Sequence, residues 1–372
     1  MESPNMTRRK FLGQTSAVAA AVVVGAKALG APIPAKTPYD YIMVEGHRDI
    51  YEFNDRFAAG ETSPLADSML PRYLEGGIDI VIMPVGGTHP ALRGGNHNML
   101  EGTLQTLDMI LREIEKTNGK AGVITRKADI PMRPNRNKVM FFLDMEGAEP
   151  IQINPESGFI RDRRMALVRN FYRMGVRGIQ LTHNERNYLA DGIAMEGRGA
   201  GRLTEFGIEV VQEMNRLGMM IGVSHMAENG ILQVAEISTA PIVSTHTNIR
   251  PFVDTARQHT DTTVKAIAAT GGLVGVRYIL EGGVHTPYAL LMDEIDHISD
   301  LVGVEHAGVG WYGHDVGDPR GGAGHTQVEM QTMYQQRDTF IQMLSDRGYS
   351  DEHIGLIVGG NFLRMWKEIM KE

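Results

Sequence analysis

The chain of 372 residues contains no cysteine. That absence removes disulfides, thiolate metal ligands, cysteine nucleophiles and anchoring through a lipidated N-terminal cysteine. Histidine and the carboxylates remain as the only strong metal ligands, which gives weight to the 13 histidines. Positive charge is in deficit as well. The 37 Lys and Arg against 45 Asp and Glu leave a net charge of -8, whereas binding to a phosphate backbone needs a clustered basic footprint. No nucleic-acid partner is expected. There is no Gly-x-Ser-x-Gly elbow, no His-Glu-x-x-His helix, no repeat of fixed period, and no linker rich in Pro, Ser or Gly. Gly308-Val-Gly-Trp-Tyr-Gly313 matches a dinucleotide fingerprint only formally, since no helix follows and His314-Asp315 occupies the turn.

What is present describes a soluble globular protein, with 42% hydrophobic and 22% charged residues. Glycine is over-used, at 43 residues, without the third-residue period of collagen, so many tight loops are expected. The 23 methionines, Met214, Met219 and Met220 among them, fall at helix and strand core positions and are read as packing. The first 31 residues read as a targeting segment. Thr7-Arg8-Arg9-Lys10-Phe11-Leu12 precedes a small and apolar run from Gln14 to Ala26, then Leu29-Gly30-Ala31-Pro32, a layout that resembles a twin-arginine export signal. The run is shorter than the ~20 residues that a bilayer span needs. Export to the periplasm is therefore expected, with the membrane met only in transit. Removing residues 1–31 takes away Arg8, Arg9, Lys10, Lys27 and Glu2, which deepens the charge from -8 to -11.

Residues 32–372 read as one domain of alternating strand and helix. Short apolar or β-branched runs fall at Tyr41–Val44, Ile78–Val85, Val139–Met145, Gly178–Leu181, Met219–Val223, Pro241–Ser244, Leu273–Tyr278 and Ala307–Gly310. Between them, segments such as Leu100–Lys116, Arg161–Met174, Thr204–Leu217, Asp261–Ala269, Tyr288–Leu301 and Gln327–Ser345 carry apolar residues at three- and four-residue steps. Eight βα units over about 300 residues predict an α/β protein with a closed (β/α)₈ barrel rather than an open doubly wound sheet.

Barrel enzymes build their sites where the carboxyl ends of the strands open into loops, and the polar residues collect there. The first run leads into Glu45-Gly46-His47-Arg48-Asp49, in which His47 and Asp49 point to one side of an extended segment. The third ends Asp144-Met145-Glu146, the fourth Leu181-Thr182-His183-Asn184, the fifth Val223-Ser224-His225 and the sixth Ser244-Thr245-His246. Any one of these histidines, taken alone, is more often a packed or hydrogen-bonded core residue than a ligand. Five that converge on one barrel mouth with two carboxylates form a donor set for Zn²⁺ or a similar first-row ion, and a carboxylate between two half-sites can bridge a metal pair.

With these residues in place the sequence resembles the membrane dipeptidase (renal dipeptidase) family, zinc peptidases on an amidohydrolase-like barrel. The resemblance rests on Leu203-Thr-Glu-Phe-Gly207, Val210-Val-Gln-Glu-Met-Asn-Arg-Leu-Gly218, Ile221-Gly-Val-Ser-His225, Pro241-Ile-Val-Ser-Thr-His-Thr-Asn248, Leu181-Thr-His-Asn184 and Gly360-Asn-Phe-Leu-Arg364. It implies two zinc ions, with His47 and Asp49 on one, His225 and His246 on the other, and Glu146 bridging both. It further implies that His183 binds substrate near the scissile carbonyl and that Arg257 takes the substrate carboxylate, a task for a planar fork of donors. A solvated surface position is the alternative for Arg257.

The sequence departs from the family pattern in three places. Arg48 stands where Asn is common, and Gly222 stands where an Asp precedes the Ser-His pair. The family's acid/base Asp follows the last strand. Here Gly308-Val-Gly-Trp-Tyr-Gly-His-Asp315 matches it at Asp315 only with two inserted residues, and an ungapped reading puts Tyr312 there, with Asp318 as a fallback. The expected activity is hydrolysis of small dipeptides by a hydroxide held between two zinc ions, with Asp315 passing the proton to the leaving amine. The alternatives are hydrolysis of another small amide, a lactone or a β-lactam, or a periplasmic binding protein with a degenerate catalytic site. Self-association into a homodimer is left open.

Overall fold

The strands are continuous apolar runs, as a parallel sheet covered on both faces requires. In chain order they are β1 (Val44–Glu45), β2 (Ile80–Gly87), β3 (Ala121–Val123), β4 (Val139–Glu146), β5 (Gly178–Gln180), β6 (Met220–Gly222), β7 (Ile242–Thr247), β8 (Leu273–Arg277), β9 (Leu280–Glu281), β10 (Val284–His285) and β11 (Ala307–Trp311). The helices are α1 (Tyr51–Ala58), α2 (Leu70–Gly76), α3 (Met99–Lys116), α4 (Ala166–Arg173), α5 (Glu205–Leu217), α6 (Glu228–Ile237), α7 (Asp261–Ala269), α8 (Tyr288–Val302), α9 (Arg337–Asp346), α10 (Asp351–Gly355) and α11 (Asn361–Ile369). The computed structural model describes residues 41–48, 50–88, 99–152, 165–277, 280–281, 284–285, 288–311 and 337–372. The export segment, Asp49, Tyr312, Asp315 and Asp318 lie outside the described residues.

Eight parallel strands pair in the order β1-β2-β4-β5-β6-β7-β8-β11, and all eight expected strands are among them. Neighbours in sequence are neighbours in space, joined by crossovers that carry the helices, as in a (β/α)₈ barrel. The first and last strands meet at glycines. A Cβ on Gly46 would lie 2.9 Å from the Gly310 Cα and 2.9 Å from the Thr245 carbonyl, so only hydrogen side chains let the ends of the sheet approach.

Two features escaped the sequence reading because they are so short. Strand β3 pairs with β4 from Ala121↔Val139 to Val123↔Phe141, on the side that β5 occupies only at Glu146↔Gln180. Strands β9 and β10 form a small antiparallel pair. Helix ends are set by local chemistry. The Thr204 side chain accepts from the Gly207 N–H to start α5, and Gly218, with φ of 77°, ends it in the left-handed region.

The core explains why the site lies at only one end of the barrel. Val44, Ile80, Ile82, Phe142, Met220, Val243 and Leu273 point inward near the strand starts and pack on Phe362, Leu363, Met365, Trp366 and Ile369 of α11. Phe142 and Trp366 stack with centroids 4.5 Å apart and planes 8° apart, an arrangement worth about 0.5–1.5 kcal/mol beyond area burial. The Gly360-Asn-Phe-Leu-Arg364 segment anchors this plug. Asn361 donates to the Val304 and Ala307 carbonyls, and Arg364 to those of Gly271 and Glu305. With the amino end of the barrel stoppered by apolar groups, polar chemistry is confined to the carboxyl end. No helix among the described residues is long and apolar enough to cross a membrane.

Candidate metal centre

Each candidate ligand sits where a strand stops. His47 lies two residues past β1, Glu146 is the last residue of β4, His183 and His225 follow β5 and β6, and His246 lies within β7. The Glu146 Oε1 is 3.6 Å from the His47 Nε2, 3.1 Å from the His225 Nε2 and 3.3 Å from the His246 Nε2. The His225 and His246 Nε2 atoms are 2.9 Å apart. Three imidazole nitrogens thus surround one carboxylate oxygen.

Two overlapping triplets could each hold an ion, namely His47, Glu146, His246 and Glu146, His183, His225, with ligand atoms within 4.8 Å of one another. Glu146 belongs to both, the position of a bridging ligand. The first triplet joins His47 to His246 and the second His183 to His225, while His225 and His246, the expected pair, are also in contact through their Nε2 atoms. In the structure His47 stacks on His246 at 3.8 Å and His183 on His225 at 4.3 Å. Asp49, the expected companion of His47, lies outside the described residues.

Burial keeps the imidazoles neutral. His47, His225 and His246 are held well below the ordinary histidine value, first by burial and then by neighbouring positive groups, with Arg257 and Arg277 acting on all three. A neutral imidazole keeps the lone pair that a metal needs. Outer partners select which nitrogen offers it. The His225 Nδ1 is 2.8 Å from the Asn184 Oδ1, and because an amide oxygen only accepts, the proton resides on Nδ1 and Nε2 is left bare. The His246 Nδ1 is 3.0 Å from the Thr245 hydroxyl, a group that can donate or accept. A cluster of neutral imidazoles with bare nitrogens around a carboxylate fits a first-row divalent ion.

Arg257 is 8% exposed and is therefore no solvated surface residue. Its guanidinium donates to the Ser224 and His246 carbonyls at 2.7 and 3.0 Å, and its Nη2 is 3.1 Å from the His225 Nε2. Together with Arg277, which ends β8, it places positive charge over the cluster. Arg277 was not singled out in the sequence, where a charge at a strand end has no distinguishing pattern.

The departures from the family pattern have local explanations. Arg48 turns away from the cluster. Its side chain is 2% exposed, pairs with Glu52 at 2.6 Å and lies 3.6 Å from Glu45. Gly222 makes room for a neighbour, since a Cβ there would come within 2.6 Å of the Gln180 Cγ. Gln180 in turn donates to the Asp144 Oδ2 at 3.3 Å. Asp144 is fully buried two residues before Glu146, and burial pushes its carboxyl up to about 7. The sequence reading quoted Asp144 without giving it a role.

Comparisons with known proteins show the family and the fold. The family model described as membrane dipeptidase (peptidase family M19) matches residues 38–372. The chain is 28% identical over 275 residues to dipeptidase verJ of Clonostachys rogersoniana, covering 73% of this chain and 66% of that protein. It is 30% identical over 224 residues to dipeptidase 3 of Mus musculus, covering 58% and 44%. The matched part therefore spans less than two thirds of either relative. A metallopeptidase structure from Rhodobacter sphaeroides, liganded with a phosphinate mimic of the dipeptide L-Ala-D-Ala, superposes with a TM-score of 0.73. It has 19% identity over 89% of this chain and 99% of that one, a likeness that shows the shared fold.

Proposed function

The chain belongs to the membrane dipeptidase family, and from that premise we propose that it is a metal-dependent dipeptidase acting on small dipeptides at the carboxyl end of its barrel. The observation that carries this reading is Glu146, whose Oε1 lies within 3.6 Å of the Nε2 atoms of His47, His225 and His246. His47, His183, His225, His246 and Glu146 would hold two zinc ions, with Asp49 completing the set. When bound, such ions would lower the pKa of a water toward neutrality and polarise a carbonyl, which is the chemistry amide hydrolysis needs at neutral pH.

The protein's own groups do the rest. Arg257 and Arg277 place positive charge over the cluster, where the free carboxylate of a dipeptide would sit. Glycine at 222 leaves room for Gln180, which donates to Asp144, two residues before Glu146 on β4. Asp315 is assigned to protonation of the leaving amine. The test is a dipeptide panel run beside elemental analysis of the purified protein. About two zinc-like ions per chain, activity lost to a chelator and activity restored by zinc are expected. Zinc retained with no turnover of any dipeptide would refute the activity, and hydrolysis of a lactone or β-lactam alone would redirect it.

We also infer that the mature protein is exported. Residues 1–35 fused to a folded reporter should cross the membrane by a route that needs both Arg8 and Arg9. Unchanged export after Arg8→Lys with Arg9→Lys would mean that the segment has another role.

A further inference from the structure

Arg257 reaches the cluster from a loop whose middle lies in solvent. The loop leaves β7 at Asn248 and returns at His259, and its residues 251, 252 and 254–256 are exposed. The aim of the guanidinium is therefore set where the two ends of the loop join. There the His259 N–H donates to the Asn248 carbonyl at 3.0 Å, the Arg250 N–H to the His259 carbonyl at 2.9 Å, and the Asn248 N–H to the Gln258 Oε1 at 3.1 Å. Asn248, Gln258 and His259 are all buried, and Arg257 is the residue just before this junction.

One side chain fastens the junction to the rest of the barrel. Glu294, on α8 and 0% exposed, accepts at Oε2 from the Asn248 Nδ2 at 2.7 Å and at Oε1 from the Ile249 N–H at 2.9 Å. The same Asn248 amide donates to the Arg277 carbonyl at 2.9 Å, so the loop start, the end of β8 and α8 meet at one point. A buried carboxylate is unfavourable unless donors match its oxygens. Burial pushes Glu294 up to about 7, against the opposing pull of those two donors and of the Arg277 cation. An apolar residue in its place would leave two buried N–H groups unmatched.

We propose that Glu294 is a positioning residue that sets the aim of Arg257 through Asn248 and Gln258, and with it the grip on the free carboxylate of the substrate. This inference rests on the reading of Arg257 as the group that takes that carboxylate. Arg257 donates to the Ser224 and His246 carbonyls at 2.7 and 3.0 Å, contacts that a shift of the loop ends would break. His246 itself is held within β7 by the ladder to β8, so releasing the loop should leave the metal ligands in place.

The experiment measures kcat, KM and zinc content for a dipeptide and for the same dipeptide with its carboxylate blocked as an amide. It compares the unaltered chain with Glu294→Leu, Glu294→Gln, Arg257→Ala and the double variant Arg257→Ala with Glu294→Leu. Glu294→Leu should raise KM for the dipeptide by about 10–100-fold, the scale of a misplaced positioning group. Its kcat, its zinc content and its KM for the amide should stay near those of the unaltered chain. Glu294→Gln, which keeps one acceptor oxygen at the same reach, should raise KM by a smaller factor, and it decides the matter if the leucine variant does not fold. In the Arg257→Ala background Glu294→Leu should add nothing, because the two residues act as one unit. Unchanged KM in Glu294→Gln, additive losses in the double variant, or a parallel fall in zinc content would overturn the inference. An unaltered chain that hydrolyses the dipeptide and its amide alike, or neither, would overturn the reading of Arg257, and the inference with it.

Discussion

Glu146→Ala should leave a folded protein that binds neither ion firmly and has lost hydrolysis by a factor on the order of 10⁴ or more, since residues that act as one unit fail together. The reason is positional. Glu146 supplies the negative charge at the centre of three imidazoles, with its Oε1 between 3.1 and 3.6 Å from their Nε2 atoms, and it belongs to both candidate triplets. His225→Ala takes a donor from one triplet and leaves His47, Glu146 and His246 intact, so it should retain more metal than Glu146→Ala. Elemental analysis of the two variants after identical zinc loading checks this. Equal metal content would count against a bridging carboxylate and favour two independent sites. The fold should survive either change, because the apolar plug of α11 and the strand starts lies at the other end of the barrel.

Asp315→Asn should act on turnover and leave metal alone. The expected fall is about 10²–10⁴, the usual worth of a positioned general acid or base, with both ions retained. Asp315 lies outside the described residues, and chemistry favours it. Strand β11 delivers the chain to the carboxyl end of the barrel at Trp311, four positions before Asp315 in the sequence. A carboxylate suits proton transfer to an amine, whereas Tyr312, with an ordinary phenol value near 10, is a poor base at neutral pH. Steady-state kinetics of Asp315→Asn and Tyr312→Phe, each paired with metal analysis, separate the two alignments. Full activity in the first with loss in the second would move the proton to the tyrosine. Loss of metal in Asp315→Asn would make that residue a ligand instead.

Some of the protein was legible because one short stretch of chain encodes it. The eight strand positions follow from apolar runs, and His47, Glu146, His183, His225 and His246 are marked as a set because each falls where such a run stops. A three-residue strand such as β3 gives too short a run to register, and α11 announces itself only as an amphipathic stretch, with no sign that Trp366 lands on Phe142 at the base of the barrel.

What the sequence determined by itself is therefore the barrel and the gathering of His47, Glu146, His183, His225 and His246 at its carboxyl end, since strand order and strand ends are local properties that the chain repeats eight times. Tertiary structure alone decided the distances within that cluster, with the Nε2 atoms of His47, His225 and His246 all within 3.6 Å of one Glu146 oxygen, because distances across a barrel depend on strand tilt and register rather than on spacing along the chain. It also decided that Arg257 is buried, that Arg48 faces away, and that Gly222 exists to admit Gln180. Burial and hydrogen-bond partners arise between residues far apart in sequence, and they exist only once the sheet has closed.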